Sequence, residues 1–167
     1  NPVQLTRIMH HFDWNLETVL EDGVFDLMYR SPVEMQLDSV ANELFQRVRE
    51  GRLKRVVIDA LGDLKTSSSD ARRFSDFMYA LTQWFAAQNV TCMMMYELHD
   101  LFDPVQISDE EISNMSDNVV LLRFTRGTEM HRAIRIIKTR GSAHDHREHL
   151  LEISNRGVAI KKMPDGN

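Results

Sequence analysis

Leu53-Lys54-Arg55-Val56-Val57-Ile58-Asp59-Ala60-Leu61, read LKRVVIDAL, decides the fold of this chain. Val56, Val57 and Ile58 form a β-branched apolar run too short for a helix and bounded by polar sequence, which predicts a fully buried strand of a parallel sheet. Asp59 closes that strand. A carboxylate at the carboxyl end of an α/β strand lies where such sheets bind ligands, and it can hold Mg²⁺ through water beside phosphates. On the strand alone, the plainer reading is that the carboxylate merely caps the turn that follows.

Around this strand the chain reads as alternating helices and strands. Upstream, Asn1, Pro2 and Gln4 form a capping signal for a first helix carrying Val3, Leu5, Ile8, Met9 and Phe12. Asp13 is the expected cap of a short helix over Trp14–Asp22, ended by Gly23. Val24–Arg30 alternates as a strand with Phe25, Leu27 and Tyr29 on one face, and Ser31-Pro32-Val33-Glu34 opens a helix that runs to about Glu50. Downstream, Gly62–Ser69 reads as a Ser/Thr-rich loop and Asp70–Gln88 as an amphipathic helix through Phe74, Phe77, Met78, Leu81, Trp84 and Phe85. Thr91–Tyr96 is an expected interior strand whose methionines fill core, and Glu97 ends it one β-α unit after Asp59.

Beyond a loop at Leu98–Val105 and a capped helix at Ser108–Met115, the pattern turns antiparallel. Val119–Phe124 and His131–Lys138 are expected to pair around Arg126–Glu129, and His149–Ile153 with Val158–Lys162 around Ser154–Gly157. If the strand continues to Arg140, alternation places Lys138 and Arg140 on one side, at a strand end where Gly141 permits a sharp turn. Two cations so placed suit a phosphate on another molecule, or simply a solvated hairpin end. His144, His146 and His149 follow no familiar zinc spacing, and phosphate or nucleotide contact is the reading preferred for His144.

Composition narrows the classes. The chain has 167 residues, 43% of them hydrophobic and 27% charged, enough for one domain with an ordinary core. No apolar run is long enough to cross a bilayer, so a cytoplasmic setting is expected. Cys92 is the lone cysteine, which excludes an internal disulfide. A formal charge of −5 argues against a general nucleic-acid binder.

The order of motifs is more specific than any one of them. RVVIDAL (55–61), the long helix after it, Tyr96-Glu97, EISNMSDNVVLL (111–122), RAIRIIKTRGSAHD (132–145) and LEISNRGVAI (151–160) closely resemble the RecA-like ATPase domains of the KaiC family. Asn1–Leu5 and Phe12–Glu17 extend the resemblance over nearly the whole chain. It implies a three-layer α/β core of the P-loop NTPase type, with a mainly parallel sheet and carboxyl-terminal antiparallel hairpins. It implies ATP and Mg²⁺ bound between the subunits of a homo-oligomeric, hexameric ring, with signalling proteins as partners. Asp59 is then the Walker B aspartate and metal residue, and Glu97 lies near the strand-end sensor position. Lys138 and Arg140, in a K-x-R-G pattern, reach the γ-phosphate held by a neighbouring subunit, and Ser142 and His144 contact nucleotide.

One departure is as informative. No G-x-x-x-x-G-K-[ST] loop is present to cradle a triphosphate, and the family's acidic pair normally lies just before the position of Asn1. Residues 1–167 are therefore expected to be part of one such domain, without its first strands, and to hydrolyse no ATP alone. The alternative is a degenerate RecA-like module that assembles or binds partners without catalysis.

Overall fold

A computed structural model describes residues 2–51, 53–68, 70–98, 114–125 and 129–164. These form two compact units, one built chiefly from the first 29 residues and the chain from Asp117 onward, the other chiefly from Arg30–His99.

The Arg30–His99 unit contains the opening stretch. β1 (Arg55–Ile58) pairs in parallel with β2 (Thr91–Met94), Val57 lying beside Met93. The strand is not fully buried: Val56 is, but Val57 and Met93 are 57% and 61% exposed. The period of two explains the correction, since Val56 and Val57 point to opposite sides of the pair and, among the described residues, the Val56 side is the covered one. Met93 and Met95 consequently do not fill core.

Most of that core comes from two helices. α4 here denotes Leu61–Thr66, α3 Leu37–Arg49 and α5 Ala71–Ala87. α3 buries Leu37, Val40, Ala41, Leu44 and Val48, and α5 buries Phe74, Met78, Leu81 and Phe85, the i, i+3, i+4 stripes that their sequences carry. The Phe45 and Trp84 rings, 4.2 Å apart, and an exposed Asp38–Arg73 ion pair join the two helices. Asp70 caps α5 by accepting from the Arg72 N–H.

Three local expectations fail in this unit and at its border. Gly62–Ser69 is not simply a loop, because Leu61 and Leu64 are buried three residues apart and anchor α4. The helix expected from Pro32 divides into a 3₁₀ turn, Pro32–Glu34, and α3, with Met35 and Gln36 extended between them and no side-chain cap bond from Ser31. Val24–Arg30 is no strand: its residues make no ladder, and the Phe25 N–H donates instead to Val19 O.

The other unit holds α1 (Pro2–His11), α2 (Leu16–Glu21) and a four-stranded antiparallel sheet. Asn15, not Asp13, caps α2, accepting from the Thr18 N–H, while Asp13 takes a positive φ of 56° in the turn before it. The sheet runs β3 (Asn118–Thr125), β4 (His131–Thr139), β5 (His149–Ser154) and β6 (Gly157–Lys162) in order. The β5–β6 turn places Gly157 at φ 101°, a value that favours glycine. Directly opposed residues share a face, so Val120, Leu122, Ile134, Ile136, Leu151 and Ile153 make one side of this sheet apolar. The Asn1 cap, the Arg126–Thr128 turn and most of 98–115 lie outside the described residues.

Candidate functional site

Asp59 sits at the carboxyl edge of the parallel pair, one residue beyond β1. Two backbone bonds fix that edge: the Met95 N–H donates to Ile58 O and the Leu61 N–H to Met95 O, each at 2.9 Å. Between them the chain turns through Asp59, whose peptide to Ala60 is cis, and leaves the carboxylate exposed. It makes no hydrogen bond or ion pair to another described residue, so it does not cap the turn through its side chain. Glu97, also exposed, lies three residues past β2. Lys65 of α4 stands over the Tyr96 ring at 6.0 Å from its centroid, a cation beside the same strand end that loop-like composition did not single out.

Within the sheet of the other unit, the decisive feature is a bulge. Val120 pairs with Ile136 but Val119 with Lys138, so Ile137 is an extra residue on β4. An unbroken alternation would put Lys138 on the apolar side with Ile134 and Ile136. The bulge moves it to the opposite face. The Arg140 N–H then donates to Asp117 O at 2.8 Å, carrying the ladder one residue past Thr139. Lys138 and Arg140 therefore oppose Val119 and Asp117 on one face, sharing a side as alternation predicted. The Arg140 guanidinium lies 3.4 Å from the Asp117 carboxylate, both largely exposed. Gly141 follows at φ 74°, with nothing within 4 Å of where a Cβ would stand.

Ser142 and His144 continue this exit. Ser142 is exposed; His144 is half-buried, its Nε2 is enclosed without a hydrogen-bond partner among the described residues, and its ring lies 4.3 Å from that of His146. The next turn is held by Asp145, which accepts from Arg147 N at 2.9 Å, Nε at 3.0 Å and Nη2 at 2.8 Å. Side-chain hydrogen bonding from Arg147, reinforced by its backbone N–H, keeps the Asp145 carboxyl well below the usual carboxylate range. Glu148 accepts from Arg123 Nε at 2.6 Å and ties the turn to β3. No three His, Cys, Asp or Glu side chains among the described residues are grouped as a metal centre needs.

The expected site residues thus occupy two sets of positions. Asp59 and Glu97 follow adjacent strand ends in one unit, while Lys138, Arg140, Ser142 and His144 lie on one stretch leaving β4 in the other. Among the described residues no helix is long and apolar enough to cross a membrane.

Comparison with known proteins bears directly on this arrangement. A family model described as "ATPase: KaiC" matches residues 1–165. The circadian clock protein KaiC3 of Synechocystis sp. is 26% identical over 160 residues, covering 95% of this chain and 32% of the relative. The circadian clock oscillator protein KaiC of Nostoc sp. is 29% identical over 170 residues, with 96% and 32% covered. The chain therefore spans about a third of the length of the curated relatives it matches. The KaiC-like protein PH0186 from the hyperthermophilic archaeon Pyrococcus horikoshii OT3 superposes with a TM-score of 0.78 at 21% identity, covering 94% of this chain and 69% of that one. That likeness gives the fold, α/β of the RecA type with a parallel pair and an antiparallel sheet. With a family model over nearly its whole length, the chain belongs to the KaiC family of ATPases.

Proposed function

We propose that this chain supplies two complementary parts of an ATP site formed between neighbouring copies in a hexameric ring, and that it does not turn over ATP by itself. The observation that carries the reading is the bulge at Ile137, which directs Lys138 and Arg140 together to one face immediately before a glycine turn. A bulge that re-aims a side chain beside a strand end is a frequent device next to active sites.

Asp59 is the Walker B residue in this reading. Its carboxylate, exposed at a strand's carboxyl edge and free of protein partners among the described residues, fits a water-mediated hold on Mg²⁺. Bound Mg²⁺ would neutralise phosphate charge. Glu97, near the strand-end sensor position, positions water at the same edge. Arg140 and Lys138 act on the nucleotide of the neighbouring copy, where a planar fork and a point charge stabilise the charge that develops on the transferred phosphoryl group. Ser142 and the unpartnered Nε2 of His144 offer hydrogen bonds to the nucleotide at the same exit. The intact protein works in a cytoplasmic signalling setting with protein partners, and nucleic acid is not among its ligands.

Steady-state ATP turnover of the intact protein tests this. Arg140→Ala and Asp59→Ala should each lower kcat by about a hundredfold or more, as loss of charge stabilisation does in phosphoryl transfer. Wild-type turnover in Arg140→Ala would remove the trans role. A turnover by residues 1–167 alone that survives purification and disappears in Asp59→Ala would overturn the half-site.

A further inference from the structure

The bulge on β4 has a second effect, on Arg135. Three residues before Lys138, it falls on the opposite face from Lys138 in any unbulged strand. The pairing reverses this. Arg135 opposes Leu121, Lys138 opposes Val119 and Arg140 bonds to Asp117, and 121, 119 and 117 alternate onto one face of β3. Three cations consequently stand in a row at successive positions of that face, about 6.7 Å apart along the strand.

Their surroundings differ. Arg123, farther along the same face, is engaged by Glu148, and Arg140 lies beside Asp117. Arg135 is exposed, faces the apolar Leu121, and has no hydrogen bond or ion pair to another described residue. No described carboxylate offsets its charge. A guanidinium presents planar paired donors that match phosphate oxygens, and long side chains rooted about 6.7 Å apart can converge on one polyphosphate.

We propose that Arg135 is a third phosphate-contacting residue of this face, which binds the phosphate chain of the nucleotide that Lys138 and Arg140 address. The inference rests on that trans-site reading and adds to it a residue that governs affinity. Lys138 and Arg140 occupy the strand end. Arg135, two β3 positions inboard, meets phosphate charge that is present before and after transfer, so its contact strengthens binding of ATP and ADP alike.

Calorimetric titration of the intact protein with ATP and with ADP, beside steady-state kinetics, tests the assignment in Arg135→Gln, Arg135→Lys and Arg140→Gln. Arg135→Gln should weaken both nucleotides by about tenfold, the loss expected for one charge-assisted contact, and flatten the salt dependence of binding. KM should rise with it while kcat falls less, and Arg135→Lys should recover part of the affinity. The melting temperature should not move, because the side chain is exposed and has no described partner. Unchanged ATP and ADP affinity in Arg135→Gln, with activity lost in Arg140→Gln, would overturn the role of Arg135 and leave the trans site standing. Unchanged behaviour in both variants would defeat the trans site and this inference with it.

Discussion

Single residues report the local environment most directly. Cys92, on the side of β2 that faces the helices, has its thiol pushed up to about 11 by burial. The thiol is the neutral form, so burial stabilises it at neutral pH and withholds the thiolate that reacts. Labelling by a thiol reagent at pH 8 should therefore be roughly two orders of magnitude slower in the folded protein than in denaturant, where an ordinary cysteine pKa near 8.5 applies. The linkage has a definite sign. A folded pKa above the unfolded one gives stability that is complete below about pH 8.5 and is lost as pH rises toward the folded value. Cys92→Ala should remove that alkaline loss, measured by denaturant unfolding between neutral and alkaline pH.

Asp145 has the opposite sign. Its lowered carboxyl pKa gives stability that is present above the unfolded value and lost as pH falls into the acid range. Because the side chain lies at the surface, the effect is confined to the 141–148 turn. Amide exchange of that turn should quicken on acidification after correction for intrinsic rates, and Arg147→Gln should abolish the change. None of this was legible in the sequence. The spacing of His144, His146 and His149 drew attention to metal chemistry, whereas the turn is organised by Asp145 and Arg147, two residues apart, whose bond depends on backbone geometry.

At the scale of elements, legibility followed periodicity and length. α5 was readable because Asp70 caps a long stripe of large apolar residues, and Met78 and Leu81 are each only 1% exposed. Met78→Ala should cost about 2–5 kcal/mol of unfolding free energy in denaturant titration, since it leaves a cavity in a packed core. α4 escaped notice for the opposite reason: six residues with two buried leucines give too little pattern against a polar background. Val24–Arg30 alternates like a strand, but alternation records only which face is apolar, and a strand also needs a partner edge.

The bulge shows the same limit within an element read correctly. β4 was legible as a strand, and the shared side of Lys138 and Arg140 followed from counting by two. Which face they share depends on a single unpaired residue, Ile137, whose identity is that of an ordinary strand residue. Deleting Ile137 lets Lys138 follow Ile136 directly, so ordinary alternation then keeps Lys138 and Arg140 on the face opposite Ile134 and Ile136. Nucleotide turnover of the intact protein should therefore stay well above that of Arg140→Ala, while the β-sheet signature in circular dichroism persists. Turnover as low as in Arg140→Ala would mean that the face these cations share is not what aims them at the nucleotide.

For the whole molecule, the order of motifs carried more than any motif alone. RVVIDAL, the K-x-R-G exit and the closing hairpin are individually common, but in sequence they identify the KaiC family, which the family model over residues 1–165 establishes. Length conceals the rest, since the chain spans about a third of the curated relatives it matches. The central claim is that Asp59 serves one nucleotide and Arg140 serves its neighbour's.

Mixing variants of the intact protein tests that claim most directly. Asp59→Ala subunits lack the carboxylate proposed to hold Mg²⁺ but keep Arg140, and Arg140→Ala subunits are their complement. In randomly mixed rings with head-to-tail interfaces, about a quarter of the junctions bring an intact Asp59 against an intact Arg140. ATP turnover should rise from near zero in either variant to about a quarter of wild type after equal mixing and exchange. Mixed rings no more active than the separate variants, with exchange verified by labelled subunits, would contradict the account.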